Sequence, residues 1–211
     1  MQPGDNLLIH YHDANLLVLE KPSGLLSVPG RGPELQDCLS SRIQTRFPTA
    51  LVVHRLDRDT SGLMVMALDK ASQRNISLQF EERKVQKVYE CIVRGTPSEH
   101  AGCITLPIGR DRTRPPRYKI DYENGRFSET SWSVLENQNG TTRLQIEPVT
   151  GRSHQIRLHL ASIDHPILGD PLYADAAAIA AADRLLLHAR EVQFIHPMTG
   201  KIMCWKSSCP F

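Results

Sequence analysis

The stretch His54-Arg55-Leu56-Asp57-Arg58-Asp59-Thr60-Ser61-Gly62 runs directly into Leu63-Met64-Val65-Met66-Ala67-Leu68. Residues 62–68 form a continuous apolar run, the pattern of a strand buried on both faces. The short apolar run 51–53 lies on the other side, so a dense polar loop is held between two core segments. Rigid scaffolds commonly place functional groups in such loops. Arg55, Asp57, Arg58 and Asp59 would also suit mutual ion pairs, so the stretch taken alone leaves a catalytic carboxylate and a structural charge cluster both open.

Outward from this loop, the periodicity gives an α+β pattern: a mostly antiparallel mixed sheet flanked by helices. Towards the N-terminus, residues 7–10 and 15–19 read as short strands of a hairpin. A glycine- and proline-rich loop follows over 22–33. Leu35, Leu39, Ile43 and Phe47 then recur every four residues, which predicts one amphipathic helix over 33–47. Towards the C-terminus, helical composition at 70–83 is followed by strand character at 87–93, 103–106, 118–122, 130–136 and 142–147. Helices at 153–162 and 175–182 and strands at 185–188, 192–196 and 202–205 complete the pattern. A chain of 211 residues can bury one substantial core, and a single catalytic domain over 1–211 is expected. No repeat or linker interrupts it.

Composition narrows the function. No run approaches the roughly 20 apolar residues of a membrane span, and Met1 to Asn6 carry no basic region leading into an apolar one, so a cytoplasmic location is expected. The five cysteines are scattered, with no pair two residues apart, which suggests neither a disulfide framework nor a zinc site. His10 and His12 on a short strand read as surface residues and not as a metal pair. The net charge of +2 does not announce a nucleic-acid partner, but Arg110, Arg112, Arg114, Arg117 and Lys119 stand against Asp111 alone. Pro115 and Pro116 keep that stretch out of a helix. It reads either as a basic loop for phosphates, with Arg112 and Arg114 as substrate-binding residues, or as a solvated surface loop.

The loop from His54 to Gly62 resembles the HRLD-R-x-TSG signature of the RluA family of pseudouridine synthases. Further motifs follow in the family's order: Lys21-Pro22-Ser23-Gly24-Leu25, Lys87-Val88-Tyr89, Gly151-Arg152-Ser153-His154-Gln155-Ile156-Arg157-Leu158-His159, His165-Pro166-Ile167-Leu168-Gly169-Asp170 and Leu186-Leu187-His188-Ala189. The resemblance spans nearly the whole chain and is closest to the family's A type, which lacks an S4 RNA-binding domain. It implies the pseudouridine synthase fold, isomerisation of uridines in structured RNA by base flipping, and no cofactor or metal. The targets it implies are 23S ribosomal RNA, a tRNA anticodon stem-loop, or both, acted on by a chain expected to be a monomer.

The same resemblance assigns roles. Asp57 takes the position of the essential aspartate, and Arg157 that of its positive partner, which an ionised carboxylate beside a base needs. Ser153 is expected to cap the helix carrying Arg157. The bland alternative makes Arg152 and Arg157 surface arginines on an amphipathic helix. Tyr89 matches the aromatic that stacks on the extruded base, although a tyrosine on a strand is also an ordinary core residue. Leu187 matches an apolar residue on the other side of the pyrimidine and is otherwise indistinguishable from any buried leucine. Arg55 matches the arginine that fills the gap left by the flipped nucleotide, or else it pairs with Asp57 or Asp59. Two other classes remain at this point: a non-catalytic RNA-binding protein, and a glycoside or nucleoside hydrolase using Asp57 as nucleophile with Asp59 or Glu147 as second carboxylate.

Overall fold

The computed structural model describes residues 7–211, so the reading of Met1 to Asn6 lies outside the described residues. In chain order the elements begin with strands β1 (Ile9–His12) and β2 (Leu16–Lys21), helix α1 (Leu39–Gln44), strands β3 (Leu51–Val52) and β4 (Ser61–Ala67), and helix α2 (Lys70–Glu81). Strands β5 (Gln86–Arg94), β6 (Ala101–Thr105), β7 (Ile108–Arg110), β8 (Tyr118–Ile120), β9 (Glu129–Gln138) and β10 (Thr141–Pro148) follow. Helices α3 (Gln155–Ser162) and α4 (Ala176–Ala180) and strands β11 (Leu187–Ile195) and β12 (Ile202–Lys206) close the chain. The pairs β1–β2, β2–β4, β3–β4, β5–β10, β9–β10, β6–β9, β7–β8 and β11–β12 are antiparallel, and the fold is α+β. Two compact units are formed, one from residues 7–87 with Ala189–Pro210, the other from Val88–His188 with Phe211.

In the first unit β4 is buried at every position, as its unbroken apolar sequence requires. It pairs with β2 from Leu16↔Ala67 to Lys21↔Gly62, and with β3. Leu16, Val18, Leu63, Val65, Ile76, Val192 and Phe194 share a core that joins the sheet to α2. Asp69 starts α2 by accepting the Ser72 N–H. Gly62 has φ +115, and a Cβ there would stand 2.3 Å from the Ala189 carbonyl oxygen. Only glycine lets these two backbones approach so closely.

The single helix expected over 33–47 is broken. A 3-10 turn at Pro33–Leu35 ends before α1 begins at Leu39. Cys38 caps α1 in a box with Ser41, and the Gln36 amide is turned back onto the carbonyls of Gly30 and Gly32. The four-residue apolar spacing therefore runs through two elements, interrupted by side chain-to-backbone bonds that compete with the helix. The first hairpin is shifted towards the C-terminus by its turn, in which Asp13 Oδ1 accepts the N–H groups of Asn15 and Leu16. The two strands expected over 185–196 are one, β11. The short strands β3 and β7 are additions that the sequence pattern does not reveal.

In the second unit β5, β10, β9 and β6 are neighbours in that order, and β7 and β8 form a separate hairpin. Cys91, Val93, Trp132, Leu144 and Ile146 of the sheet pack with Ile156 and Leu160 of α3. Residues 155–160 are all buried, so α3 is enclosed rather than amphipathic.

Candidate active site

Asp57 lies in the first unit, in a turn where the Thr60 N–H donates to the Asp57 carbonyl. Its loop is braced from residues 21–27. Lys21, wholly buried, donates from Nζ to the carbonyls of Pro22, Leu25 and Arg58 at 2.7–2.8 Å. Ser23 donates to the Asp59 carbonyl, Gly24 N–H to the Arg58 carbonyl, and Ser27 Oγ to the Leu56 carbonyl while accepting the Leu56 N–H. A buried ammonium is costly unless its donors are met, so these bonds fix both loops together.

His54 opens the motif as a structural residue. Its Nε2 accepts the Val65 N–H at 2.9 Å, and its ring stacks on Phe80 at 4.4 Å. Burial, with the Lys87 charge second, pushes its pKa down to about 3, so the imidazole is neutral and able to accept. Arg58 pairs with Asp59 at 3.1 Å. Arg55 is exposed and makes no ion pair among the described residues.

Arg157, Tyr89 and Leu187 belong to the second unit. Arg157 is 2% exposed, contrary to a surface arginine, and forks onto Asp170 through Nε at 2.8 Å and Nη2 at 2.6 Å. This bidentate geometry is the strongest form of an arginine–carboxylate contact. Asp170 Oδ1 also accepts the N–H groups of Leu172 and Tyr173. The expected cap at Ser153 is absent. His154 occupies that position in left-handed conformation, φ 56, with no side-chain cap. The turn is held instead by Gln155, whose Oε1 accepts the Thr150 hydroxyl and the Arg152 N–H and whose Nε2 donates to the Glu129 carbonyl and Thr130 Oγ1. Because Thr130 Oγ1 accepts from Gln155, it donates to His159 Nδ1, leaving His159 Nε2–H for the Leu106 carbonyl. Burial lowers the His159 pKa, in keeping with this neutral form.

Tyr89 is half-buried against the second unit's core, and Leu187 is a member of that core. Arg112 and Arg114 stand in the turn between β7 and β8. Arg112 is exposed, whereas Arg114 Nε pairs with Asp111 at 3.0 Å. The Thr113 hydroxyl leads in holding the Asp111 carboxyl down at about 2, with the Thr113 N–H and Arg114 adding to it against the upward push of burial. The basic stretch is thus an ordered hairpin with an ionised anchor. Sequence reading misses Lys21 and Asp170 as partners, although both stand inside quoted motifs. The Lys21 bond to the Arg58 carbonyl and the Arg157 bonds to Asp170 join residues 37 and 13 positions apart, which no local spacing reveals.

His10 bonds to Glu20 and His12 packs on Phe47. Among the described residues no group of His, Cys, Asp and Glu is arranged to hold a metal ion, and no helix is long and apolar enough to cross a membrane.

Residues 15–162 match the family model described as RNA pseudouridylate synthase. The chain is 44% identical over 206 residues to a Yersinia pestis protein named dual-specificity RNA pseudouridine synthase RluA, covering 97% of this chain and 100% of that one. It is 45% identical to the Escherichia coli K12 protein of the same name, covering 97% and 94%. Among solved structures, human RNA pseudouridylate synthase domain containing 1 superposes with a TM-score of 0.84 at 30% identity, covering 100% of this chain and 87% of that one. A match of this extent in sequence and in fold places the chain in the RNA pseudouridylate synthase family.

Proposed function

We propose that the protein converts uridine to pseudouridine in structured RNA, acting in the cytoplasm on 23S ribosomal RNA, a tRNA anticodon stem-loop, or both. The observation that carries this reading is the 44% identity over 97% of the chain to a relative whose name states dual specificity. The reaction breaks the bond between the ribose carbon C1′ and uracil N1, turns the base, and joins C1′ to C5. The C5 proton is lost and N1 gains one, so nothing is oxidised and no further reactant is consumed.

In this reading Asp57 is the catalytic carboxylate, suited to attack the sugar or the ring or to remove a ribose proton. Arg157 supplies its positive partner. Tyr89 stacks on the extruded base, and Leu187 meets the other side of the pyrimidine. Arg55 enters the gap left in the RNA; its exposure and lack of an ion pair among the described residues support that role. Arg112 and Arg114 meet phosphates. The test is incubation with uridine-containing stem-loops from 23S RNA and tRNA and assay for pseudouridine. Release of free uracil would favour a hydrolase, and binding without turnover an RNA-binding protein.

A further inference from the structure

The basic hairpin is tied to the segment carrying Arg157 through Tyr173, beside a direct edge contact of the Tyr118 ring with that of His154 at 5.2 Å. Tyr118, the first residue of β8, donates its N–H to Tyr173 Oη at 2.9 Å, and that oxygen lies 2.8 Å from His154 Nδ1. The hydroxyl accepts from Tyr118, so its own proton is left to point at Nδ1. His154 is the residue from which α3 starts, three positions before Arg157. The Tyr173 ring has the Arg157 guanidinium carbon 5.4 Å and the Arg117 guanidinium carbon 5.3 Å from its centroid. Its backbone N–H donates at 3.2 Å to Asp170 Oδ1, the oxygen that also accepts Arg157 Nη2. Tyr173 therefore touches the hairpin with its hydroxyl and Arg157 with its ring, and it shares the Asp170 carboxylate with Arg157.

We propose that Tyr173 is a positioning residue that transmits engagement of the β7–β8 hairpin by the RNA backbone to Arg157. Phosphate contact at Arg112 and Arg114 then quickens the chemical step as well as tightening binding. This rests on the pseudouridine synthase reading. A hairpin serving only as an anchor would need no polar bond to the residues around Arg157. The Tyr118 N–H bond and the shared carboxylate give it one.

The experiment is a mutant cycle on the full chain, comparing wild type, Arg112→Ala/Arg114→Ala, Tyr173→Phe and the triple variant. Single-turnover pseudouridine formation at saturating RNA is measured beside the dissociation constant. Tyr173→Phe keeps the ring and removes the hydroxyl, and its saturating rate should fall about ten-fold. The arginine substitutions should lower the saturating rate about five-fold when Tyr173 is present and less than about two-fold when it is Phe, while weakening binding alike in both backgrounds. Equal fold-losses of rate in the two backgrounds, or a wild-type rate for Tyr173→Phe, would overturn the proposal. If Tyr173→Phe fails to fold by circular dichroism, His154→Gly, at home in left-handed backbone and with no side chain to meet the hydroxyl, takes its place in the same cycle. A wild type that makes no pseudouridine sinks the functional reading and this proposal together. An active wild type with multiplying effects sinks this proposal alone.

Discussion

Asp170 holds Arg157 by both carboxylate oxygens, at 2.6 and 2.8 Å, with the two side chains 0% and 2% exposed. Removing one partner of a buried pair strands the other charge out of water. Asp170→Asn, nearly the same shape, is therefore expected to cost about 3–5 kcal/mol of stability, measured by urea unfolding. A loss under about 1 kcal/mol, the value of an exposed pair, would show that water reaches the guanidinium.

Asp57→Asn keeps the side chain's outline and removes its charge. Pseudouridine formation should vanish while RNA affinity stays within a few-fold of wild type. Turnover near the wild-type rate in a preparation free of wild-type enzyme would take the chemistry away from Asp57.

Salt should weaken RNA binding steeply. Arg112→Ala should flatten the plot of log affinity against log salt by about one phosphate contact. Arg114→Ala should flatten it by less, because Asp111 already competes for that guanidinium at 3.0 Å. Binding isotherms at several salt concentrations decide the matter, and an unchanged slope for Arg112→Ala would make the turn a solvated loop.

Arg55→Lys keeps charge and loses the planar group that stacks in a gap, costing roughly 1–3 kcal/mol in base extrusion. The loss should be greatest on a stable stem-loop and small on a flexible RNA whose target is already unstacked. Single-turnover rates on both RNAs, with 2-aminopurine beside the target, report it. Equal loss on both with extrusion unchanged would place Arg55 in positioning the catalytic loop.

Acid should destabilise the protein before its carboxylates titrate. The His54 pKa, held down to about 3 when folded, returns to about 6.5 on unfolding. The unfolded chain then binds a proton that the folded chain refuses, so stability is fully present above about pH 6.5 and falls as pH drops towards 3. His159, also lowered by burial, adds to the same slope. His54→Gln should flatten the pH dependence of stability between about 6.5 and 4.5; an unaltered slope in urea titrations would assign it elsewhere.

What can be read in advance follows the range of each interaction. The seven buried residues of β4 and the capped α2 announce themselves in adjacent residues, and so does the polar loop carrying Asp57. The break between Leu35 and Leu39 is invisible because a cysteine thiol is an unusual cap and Gln36 bonds backwards to glycine carbonyls. Gln155 replaces Ser153 as the organiser of its turn through contacts with Glu129 and Thr130, which no helix-start rule encodes. Arg157 stands out in the sequence as a cation, but its observed carboxylate, thirteen positions on, lies beyond helical spacing.

The three carbonyls gathered by the Lys21 ammonium come from Pro22, Leu25 and Arg58, so the entry segment and the Asp57 loop cannot shift independently. A genetic screen for lost modification should therefore return substitutions at Lys21, Ser23 and Ser27 alongside Asp57. On such a map the centre would look twice as wide as the chemistry it performs, and suppressors of an entry-segment lesion should appear across the gap, around Leu56 to Asp59.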